Sequence, residues 1–195
     1  MRVIRVVLAT VGTVATFATV LGCSAAVPPT ADNVSQPRSL EMLTDIAAQR
    51  VQLADTVAAA KWGTDAAIND PVREKAVLDA VAAKSAQQSI DPKAAQAVFT
   101  DQIEANKDVQ YGLYSRWRAH PDQAPTNKPD LGQVRPILDR ITDQLLAELK
   151  ATQQLRANHS CTAQLTRTRN RVERTRHLDP LHEDALARAL SSICR

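Results

Sequence analysis

Apolar residues recur at helical spacing over most of the chain beyond residue 38. No run rich in Val, Ile and Thr alternates apolar with polar positions, whereas Ala, Leu, Gln, Arg and Lys dominate and Gly is scarce. This pattern is typical of helices and not of strands. It predicts an all-α fold, a single-domain bundle of about six helices, at residues 39–62, 71–89, 92–118, 133–157, 161–176 and 181–194.

Proline and aspartate mark the ends of several predicted helices. Asp70 precedes Pro71, and Asp91 precedes Pro92. That order is typical of an N-cap followed by proline at the first helical position. Residues 120–129 hold three prolines, which interrupt any helix, so this segment is predicted to connect the third helix to the fourth.

Two basic residues share a face of the first predicted helix with its apolar side chains. Arg50 and Lys61 are eleven residues apart, which at about 100° per residue returns them to within roughly 20° of one direction. No acid alternates with them on this face, whose other residues are Leu43, Ala47, Ala54, Val57 and Ala58. Buried Arg and Lys are rare unless an anion pairs with them. The pattern therefore favours an anionic ligand as their partner.

Further polar residues fall near predicted buried faces. Asn106 and Gln110 interrupt the apolar stripe of the third helix at i, i+4 spacing. Arg73 and Glu74 lie in the first turn of the second helix, after Asp70. Structural alternatives stay open: the two amides could hydrogen-bond between helices, Glu74 could pair with a surface cation, and Asp70 could serve only as a helix cap.

The first 26 residues have the pattern of an export signal peptide, with a basic start before an apolar stretch at residues 6–21. As a helix, this stretch would be roughly 24 Å long, shorter than the ~30 Å hydrocarbon core of a membrane. Its end also resembles a lipobox, so acylation of Cys23 and a lipid anchor form a second interpretation. Residues 27–38 lack periodicity and are predicted to be a flexible tether to a helical domain at 39–195.

The cysteine count agrees with export to an oxidising compartment. The chain has three cysteines, and Cys23 is either removed with the signal or acylated, which leaves Cys161 and Cys194. These two are predicted to form a disulfide, with two free buried thiols as the alternative. On the chain-entropy account, a bridge over this separation contributes on the order of 3 to 4 kcal/mol.

Composition argues against nucleic acid and metal as partners. The whole chain is formally +3, and without residues 1–26 it has 22 basic and 21 acidic residues, or +1. Aromatic residues make up only 3% and offer no stacking platform. His159, His177 and His182 show no metal-ligand spacing with cysteine or with one another. No phosphate-binding loop or Ser-His-Asp signature is present in the sequence.

The last third of the chain carries the strongest local basic cluster. Its arginines wrap around a predicted helix at spacings of two to four residues. We therefore predict a solvated face with acidic partners such as Glu173, and not a binding patch. The cluster comprises Arg167, Arg169, Arg171, Arg174 and Arg176.

The polar residues of the first three helices resemble the site pattern of the all-helical, AroQ-type chorismate mutases, and among them the exported gamma subclass. The matching residues, at the family's spacing, are Arg50, Lys61, Asp70, Arg73, Glu74, Asn106 and Gln110. The stretches 47–62 and 99–111 also look like exported mycobacterial members. The resemblance covers residues 40–195.

The resemblance implies an isomerase that rearranges chorismate to prephenate, a step of aromatic amino acid biosynthesis in the shikimate pathway. It implies no cofactor and no metal, chorismate as the small-molecule partner, and a homodimer in which each site is complete in one chain. The competing interpretation is a non-enzymatic exported helical protein or lipoprotein that binds a partner helix or an anionic metabolite.

The resemblance also implies which side chains hold the two carboxylates of the substrate. Arg50, Arg73 and Arg135 take this role, because a guanidinium offers a planar pair of donors. Asn106 would contact a carboxylate as well. Arg135 directly precedes Pro136, and a residue before proline disfavours the helical conformation, so the direction of the Arg135 side chain stays open.

The resemblance assigns the remaining side chains to the ether oxygen and to the ring hydroxyl of the substrate. Lys61 and Gln110 would donate to the ether oxygen, where negative charge grows in the transition state. Glu74 would accept a hydrogen bond from the ring hydroxyl, with the backbone around Asp70 assisting. Arg50, Lys61, Glu74 and Gln110 are thus the predicted catalytic residues.

Overall fold

A computed structural model describes residues 39–194. The predicted signal, lipobox and tether lie outside these residues. Within them the chain is helical without a strand, which confirms the all-α prediction. The helices are α1 Glu41–Lys61, α2 Pro71–Gln87, α3 Pro92–Ala119, α4 Leu131–Ala151, α5 Gln153–Arg156, α6 Cys161–Thr175 and α7 Pro180–Ala189, with a 3-10 turn at Pro121–Gln123.

The fourth predicted helix differs most from the structure. It is broken into α4 and the one-turn α5, so the described residues hold seven α-helices where about six were predicted. α4 begins at Leu131, after Asp130, whose Oδ1 accepts from the backbone N–H of Gly132 at 2.8 Å. Pro136 lies inside α4, in its second turn, and removes one backbone hydrogen bond there.

Aspartate caps begin three other helices. Asp70 accepts from the N–H of Arg73, Asp91 from that of Lys93, and Asp179 from that of His182. A proline follows each cap as the first helical residue. The missing N–H of proline costs nothing at that position, so these sequences fix where the helices start.

The core forms around α1 and α3, which pack against each other. α1 also packs against α4, α6 and α7, while α3 packs against α2 and α7. Small residues on α1 let its neighbours approach, and Phe99 of α3 is fully buried. α7 lies so close to α3 that a Cβ added at Gly112 would be 2.6 Å from Leu181. α2 on α3 and α4 on α1 approach each other through ion pairs from Arg73 to Asp139 and from Lys84 to Asp143.

A disulfide links the start of α6 to the segment after α7. Cys161 at the start of α6 is bonded to Cys194 beyond α7, with Cα atoms 5.7 Å apart. The predicted pairing is confirmed. Among residues 39–194, no helix combines the length and the apolar character needed to cross a membrane.

Candidate active site

A cavity of about 420 Å³ opens between α1, α2, α3 and α4. The structure brings all eight predicted site residues to its wall: Arg50, Lys61, Asp70, Arg73, Glu74, Asn106, Gln110 and Arg135. These residues come from four helices and from the cap of α2. The helix faces that the sequence indicated therefore meet in one place.

Arg50 is the most buried cation of the cavity, with 6% exposure. Its Nη1 donates to Thr142 Oγ1 at 3.5 Å, and its buried Nε has no hydrogen-bond partner within the described chain. No carboxylate of residues 39–194 forms an ion pair with it. Burial lowers the pKa of Arg50 to about 10, with Asp139 opposing that shift, so the guanidinium remains charged at neutral pH. A buried cation with unfilled donors favours an anion from outside the chain.

Lys61 lies in the last turn of α1 and reaches the loop that leads to α2. Its Nζ donates to the carbonyl of Ala67 at 2.8 Å. Burial lowers its pKa; the nearby charges of Asp70 and Glu74 oppose this shift and that of Arg135 adds to it. An ammonium group has three N–H donors, so two further donors of Lys61 are available to a ligand.

Asn106 and Gln110 hydrogen-bond to each other on α3. The Nε2 of Gln110 donates to Asn106 Oδ1 at 2.7 Å, and the Nδ2 of Asn106 donates to the carbonyl of Arg50 at 3.5 Å. Gln110 is 2% exposed, and its Oε1 is buried without a partner among the described residues. The same Nε2 also donates to the Asn106 carbonyl at 3.4 Å. One N–H is thus held by a short hydrogen bond, and the other by a long contact that is weak enough for a ligand to replace.

The start of α2 fixes Glu74 from two sides. Its Oε1 accepts from the backbone N–H of Asp70 at 3.3 Å, and its Oε2 accepts from Lys107 Nζ at 3.2 Å. Lys107 also donates to Glu104 and Asn69, and its side chain is 13% exposed. Burial lowers the pKa of Lys107, but the hydrogen bonds to Glu104 and Glu74 outweigh it, so the net shift is upward.

Two exposed arginines complete the wall near the opening. Arg73 on α2 has its Nη2 3.8 Å from Asp139 Oδ1 on α4. Arg135 is also on α4 and has neither a hydrogen bond nor an ion pair with any residue of 39–194. Because α4 begins at Leu131 and not at Pro136, Arg135 is helical, against the usual preference before proline, and it lines the cavity.

Sequence analysis missed several residues of the wall. Lys107, Asp139 and Thr142 contribute polar groups, and Lys84 adds a cation. Helical spacing gives a signal for one of them, since Asp139 lies one turn after Arg135. The apolar part of the wall includes Val57, Ile68, Val77, Ile103, Leu131, Val134 and Leu138.

The wall is strongly cationic. It holds six cations, Arg50, Lys61, Arg73, Lys84, Lys107 and Arg135, against the three carboxylates of Asp70, Glu74 and Asp139. Such a lining suits a compact dianion with an apolar ring. Within the described part of the chain, no group of three or more His, Cys, Asp or Glu side chains could hold a metal ion.

Comparisons with known proteins agree with this chemistry. A family model described as chorismate mutase type II matches residues 41–111. The chain is 37% identical over 165 residues to the secreted chorismate mutase of Mycobacterium tuberculosis, covering 85% of this chain and 81% of that protein. It is 36% identical over 166 residues to the secreted chorismate mutase of Mycolicibacterium smegmatis, covering 85% and 90%.

The fold agrees as well. The crystal structure of chorismate mutase from Burkholderia phymatum matches with a TM-score of 0.77 and 34% identity, covering 80% of this chain and 96% of that one. Because such identity extends over most of both chains, this protein belongs to the chorismate mutase family.

Proposed function

We propose that the cavity between α1, α2, α3 and α4 binds chorismate and rearranges it to prephenate. The observation that carries this proposal is Arg50, a buried guanidinium with an unfilled donor and no carboxylate partner among residues 39–194. The reaction breaks an ether carbon–oxygen bond as a carbon–carbon bond forms within one molecule. It needs a compact substrate conformation and stabilised charge on the ether oxygen, and no nucleophile.

The two substrate carboxylates are assigned to the arginines. Arg50 holds one of them, and Thr142 supports the guanidinium from α4 at 3.5 Å. Arg73 and Arg135 approach from α2 and α4 near the opening, where they hold the other. Asn106 lies beside Arg50, since its Nδ2 donates to the Arg50 carbonyl, and the second N–H of that Nδ2 contacts a carboxylate.

The ether oxygen is assigned to Lys61 and Gln110. Lys61 has two further N–H donors beside the one on Ala67, and one N–H of Gln110 is held only by the 3.4 Å contact to the Asn106 carbonyl. Donors aimed at an oxygen that gains charge act mainly in the transition state, which raises kcat as well as kcat/KM. The 2.7 Å hydrogen bond from Gln110 Nε2 to Asn106 Oδ1 orients the Gln110 amide before substrate arrives, and the substrate oxygen replaces the longer contact to the Asn106 carbonyl.

Glu74 and Asp70 are assigned to the ring hydroxyl. The carboxylate of Glu74 already accepts from Asp70 N–H and from Lys107, and each carboxylate oxygen has a second lone pair for the substrate hydroxyl. Lys107 is therefore a positioning residue that holds Glu74. Asp70 acts through the backbone of the α2 cap, and its side chain stays with Arg73 N–H.

The test is turnover of chorismate by protein that starts near residue 27, without added metal or cofactor. Loss of the ultraviolet absorbance of chorismate should exceed the uncatalysed rate, and prephenate should accumulate. Turnover at only the uncatalysed rate, in protein that circular dichroism shows to be folded, would favour the non-enzymatic alternative.

Lys61→Ala provides the sharper version of this test. It should lower kcat/KM by about 10²- to 10³-fold, the cost of removing a donor to a developing oxyanion. Arg174→Ala is the matched control, because Arg174 is an exposed cation on α6, outside the cavity, and should change kcat/KM by less than about twofold. Equal losses in both variants would place the site elsewhere.

We also propose that the chain is exported and that residues 1–26 are removed as a signal. The secreted relatives support export. Mass spectrometry of the mature N-terminus would separate simple cleavage from acylation at Cys23.

A homodimer with each site complete in one chain is proposed as well, and light scattering would measure its mass. All eight predicted site residues lie on the cavity of a single chain, which supports a complete site per chain.

A further inference from the structure

The three carboxylates of the cavity differ in what holds them. Asp70 accepts from Arg73 N–H as the cap of α2, and Glu74 accepts from the Asp70 backbone and from Lys107. Asp139 neither caps a helix nor makes a hydrogen bond to any residue in the described part of the chain. Its one ion pair is the 3.8 Å approach to Arg73, and its side chain is 64% exposed. Neither helix capping nor hydrogen bonding therefore explains why an acidic residue lies at position 139.

Asp139 lies near all three arginines assigned to the substrate carboxylates. It faces Arg73 across the opening between α2 and α4. It follows Arg135 by four residues on α4, which places the two side chains on one helix face. Its charge also opposes the downward shift of the Arg50 pKa. A single carboxylate thus offsets part of the repulsion among these three cations.

We infer that Asp139 is a resident counter-ion of these arginines, which the dianionic substrate displaces from Arg73 and which lowers the affinity for substrate and product alike. This inference rests on the proposed function. An incoming carboxylate meets repulsion from Asp139 and competes with it for Arg73. Because chorismate and prephenate are both dianions, Asp139 weakens both complexes, and its effect falls on KM and product inhibition more than on kcat.

A counter-ion and a structural brace predict opposite changes in KM when Asp139 is removed. A pair between half-exposed side chains contributes little to stability, and a second ion pair, Lys84 to Asp143 at 2.5 Å, also joins α2 to α4. If Asp139 only braced the opening, its loss would loosen the cavity and raise KM. If it is a counter-ion, its loss lowers KM.

The experiment compares Asp139→Asn with Asp79→Asn. Asp79 pairs with Lys75 on the exposed side of α2 at 2.6 Å, so the control removes the same charge outside the cavity. Asp139→Asn should lower KM for chorismate and the inhibition constant of prephenate by about two- to fivefold, as expected for a screened, exposed pair. kcat should change less than KM. Asp79→Asn should match the parent in both constants.

Salt adds a measurement that structural damage would not mimic. The KM of Asp139→Asn should rise more steeply with ionic strength than that of the parent. The two values should converge near 1 M salt, where the Debye length is about 3 Å. An unchanged or raised KM in folded Asp139→Asn, or an equal decrease in Asp79→Asn, overturns the inference.

A second experiment measures ligand binding through thermal stability and does not depend on turnover of chorismate. Malonate, a simple dicarboxylate, should raise the Tm of Asp139→Asn more than that of the parent and of Asp79→Asn at the same concentration. If the parent fails to convert chorismate, the proposed function fails, and the malonate arm alone decides the role of Asp139. Equal malonate shifts in all three proteins would then overturn it.

Discussion

Two arginines, Arg50 on α1 and Arg176 packed against α1 from the end of α6, have opposite surroundings. Arg176, at the end of α6, donates from Nε and Nη2 to Asp45 at 2.5 and 2.7 Å and from Nη1 to Gln52 at 3.0 Å. The hydrogen bond from Arg176 is the largest cause of the lowered pKa of Asp45. Arg50 is more buried; among residues 39–194 its guanidinium donates only to a threonine hydroxyl, and it lies 5.9 Å from the centroid of the Phe99 ring. The protein fills the donors of one arginine and leaves the buried Nε of the other without a partner among residues 39–194.

The regions around Arg176 and Arg50 also differ in how well their charges are balanced. Around α6 and α7, Arg171 pairs with Glu41 and Arg169 with Glu173. Glu173 is thus an acidic partner within the cluster, as predicted, whereas Arg176 of the same cluster is only 23% exposed and is not part of a solvated face. In the cavity, six cations face three carboxylates. Unbalanced charge that is partly removed from water lowers stability, so we expect the cavity to trade stability for binding.

The largest changes in activity and stability should come from replacing each of these arginines, one at a time, with methionine, an apolar side chain of similar length. Arg50→Met should lower kcat/KM by about 10²- to 10³-fold, because it removes a buried charged donor to the substrate. Its Tm should stay the same or rise, since no acid is left unpaired. Steady-state kinetics and thermal melts measure the two quantities.

Arg176→Met should do the reverse. It leaves Asp45 without its partner and should lower the free energy of unfolding by roughly 1 to 3 kcal/mol, while kcat/KM stays within about twofold of the parent. If Arg50→Met loses stability and Arg176→Met loses activity, the contrast between the two regions is wrong.

The disulfide tests the structural region without touching the cavity. Cys161→Ser with Cys194→Ser should lower the free energy of unfolding by about 3 kcal/mol, since the bridge closes a long loop in the unfolded chain. For a domain of this size, that is a decrease in Tm of roughly 6 to 12 °C. kcat/KM measured well below the Tm should match the parent. A loss of activity in the folded variant would link the cavity to the α6–α7 region.

Gln110→Glu tests the donor role inside the cavity. A carboxyl group donates only when protonated, and its unperturbed pKa is about 4.3. Lys61 favours the ionised form, while burial favours the neutral form. We expect kcat/KM to fall about tenfold near pH 7.5 and to recover as the pH falls towards 5, while the parent changes much less.

Activity equal to the parent at pH 7.5, or the same pH slope in both proteins, would show that Gln110 does not donate to the ether oxygen. Circular dichroism at each pH provides the control for folding.

The smallest effect concerns His182, which joins α7 to α1. Its Nε2 is 2.9 Å from Asp55 Oδ1, and its Nδ1 is 2.6 Å from Asp179 Oδ1. The hydrogen bond to Asp55, opposed by burial and aided by Asp179, raises the pKa of His182 to about 9. Because the folded pKa lies above the unfolded value of 6.5, this stabilisation is complete below pH 6.5 and is lost as the pH rises through 9.

We expect the free energy of unfolding to decrease by on the order of 1 kcal/mol between pH 6.5 and 9.5, after allowance for the half-exposed Asp55. His182→Gln should flatten this decrease, and chemical denaturation at each pH measures it. A parent whose stability is constant across that range would contradict the proposed ion pair.

Local sequence predicted much of this protein because its signals are local. The caps of α2 and α3 lie where Asp70 and Asp91 precede proline, since a side chain and an N–H two or three residues apart need no tertiary contact. The break between α4 and α5 has no such signal, so a single helix at 133–157 was predicted. Helix periodicity likewise indicated that Arg50 and Lys61 share a direction.

The sequence by itself determined which helix face each polar residue occupies, and the cysteine count indicated the pair Cys161 and Cys194. Only the tertiary structure decided which groups meet across those faces. Lys107 reaches Glu74 from α3 to α2, and Asp139 reaches Arg73 from α4 to α2. The physical reason is that periodicity fixes a side chain's direction to within a fraction of a turn, whereas an ion pair depends on distances of a few ångströms between helices. Those distances are set by how the whole core packs around α1 and α3.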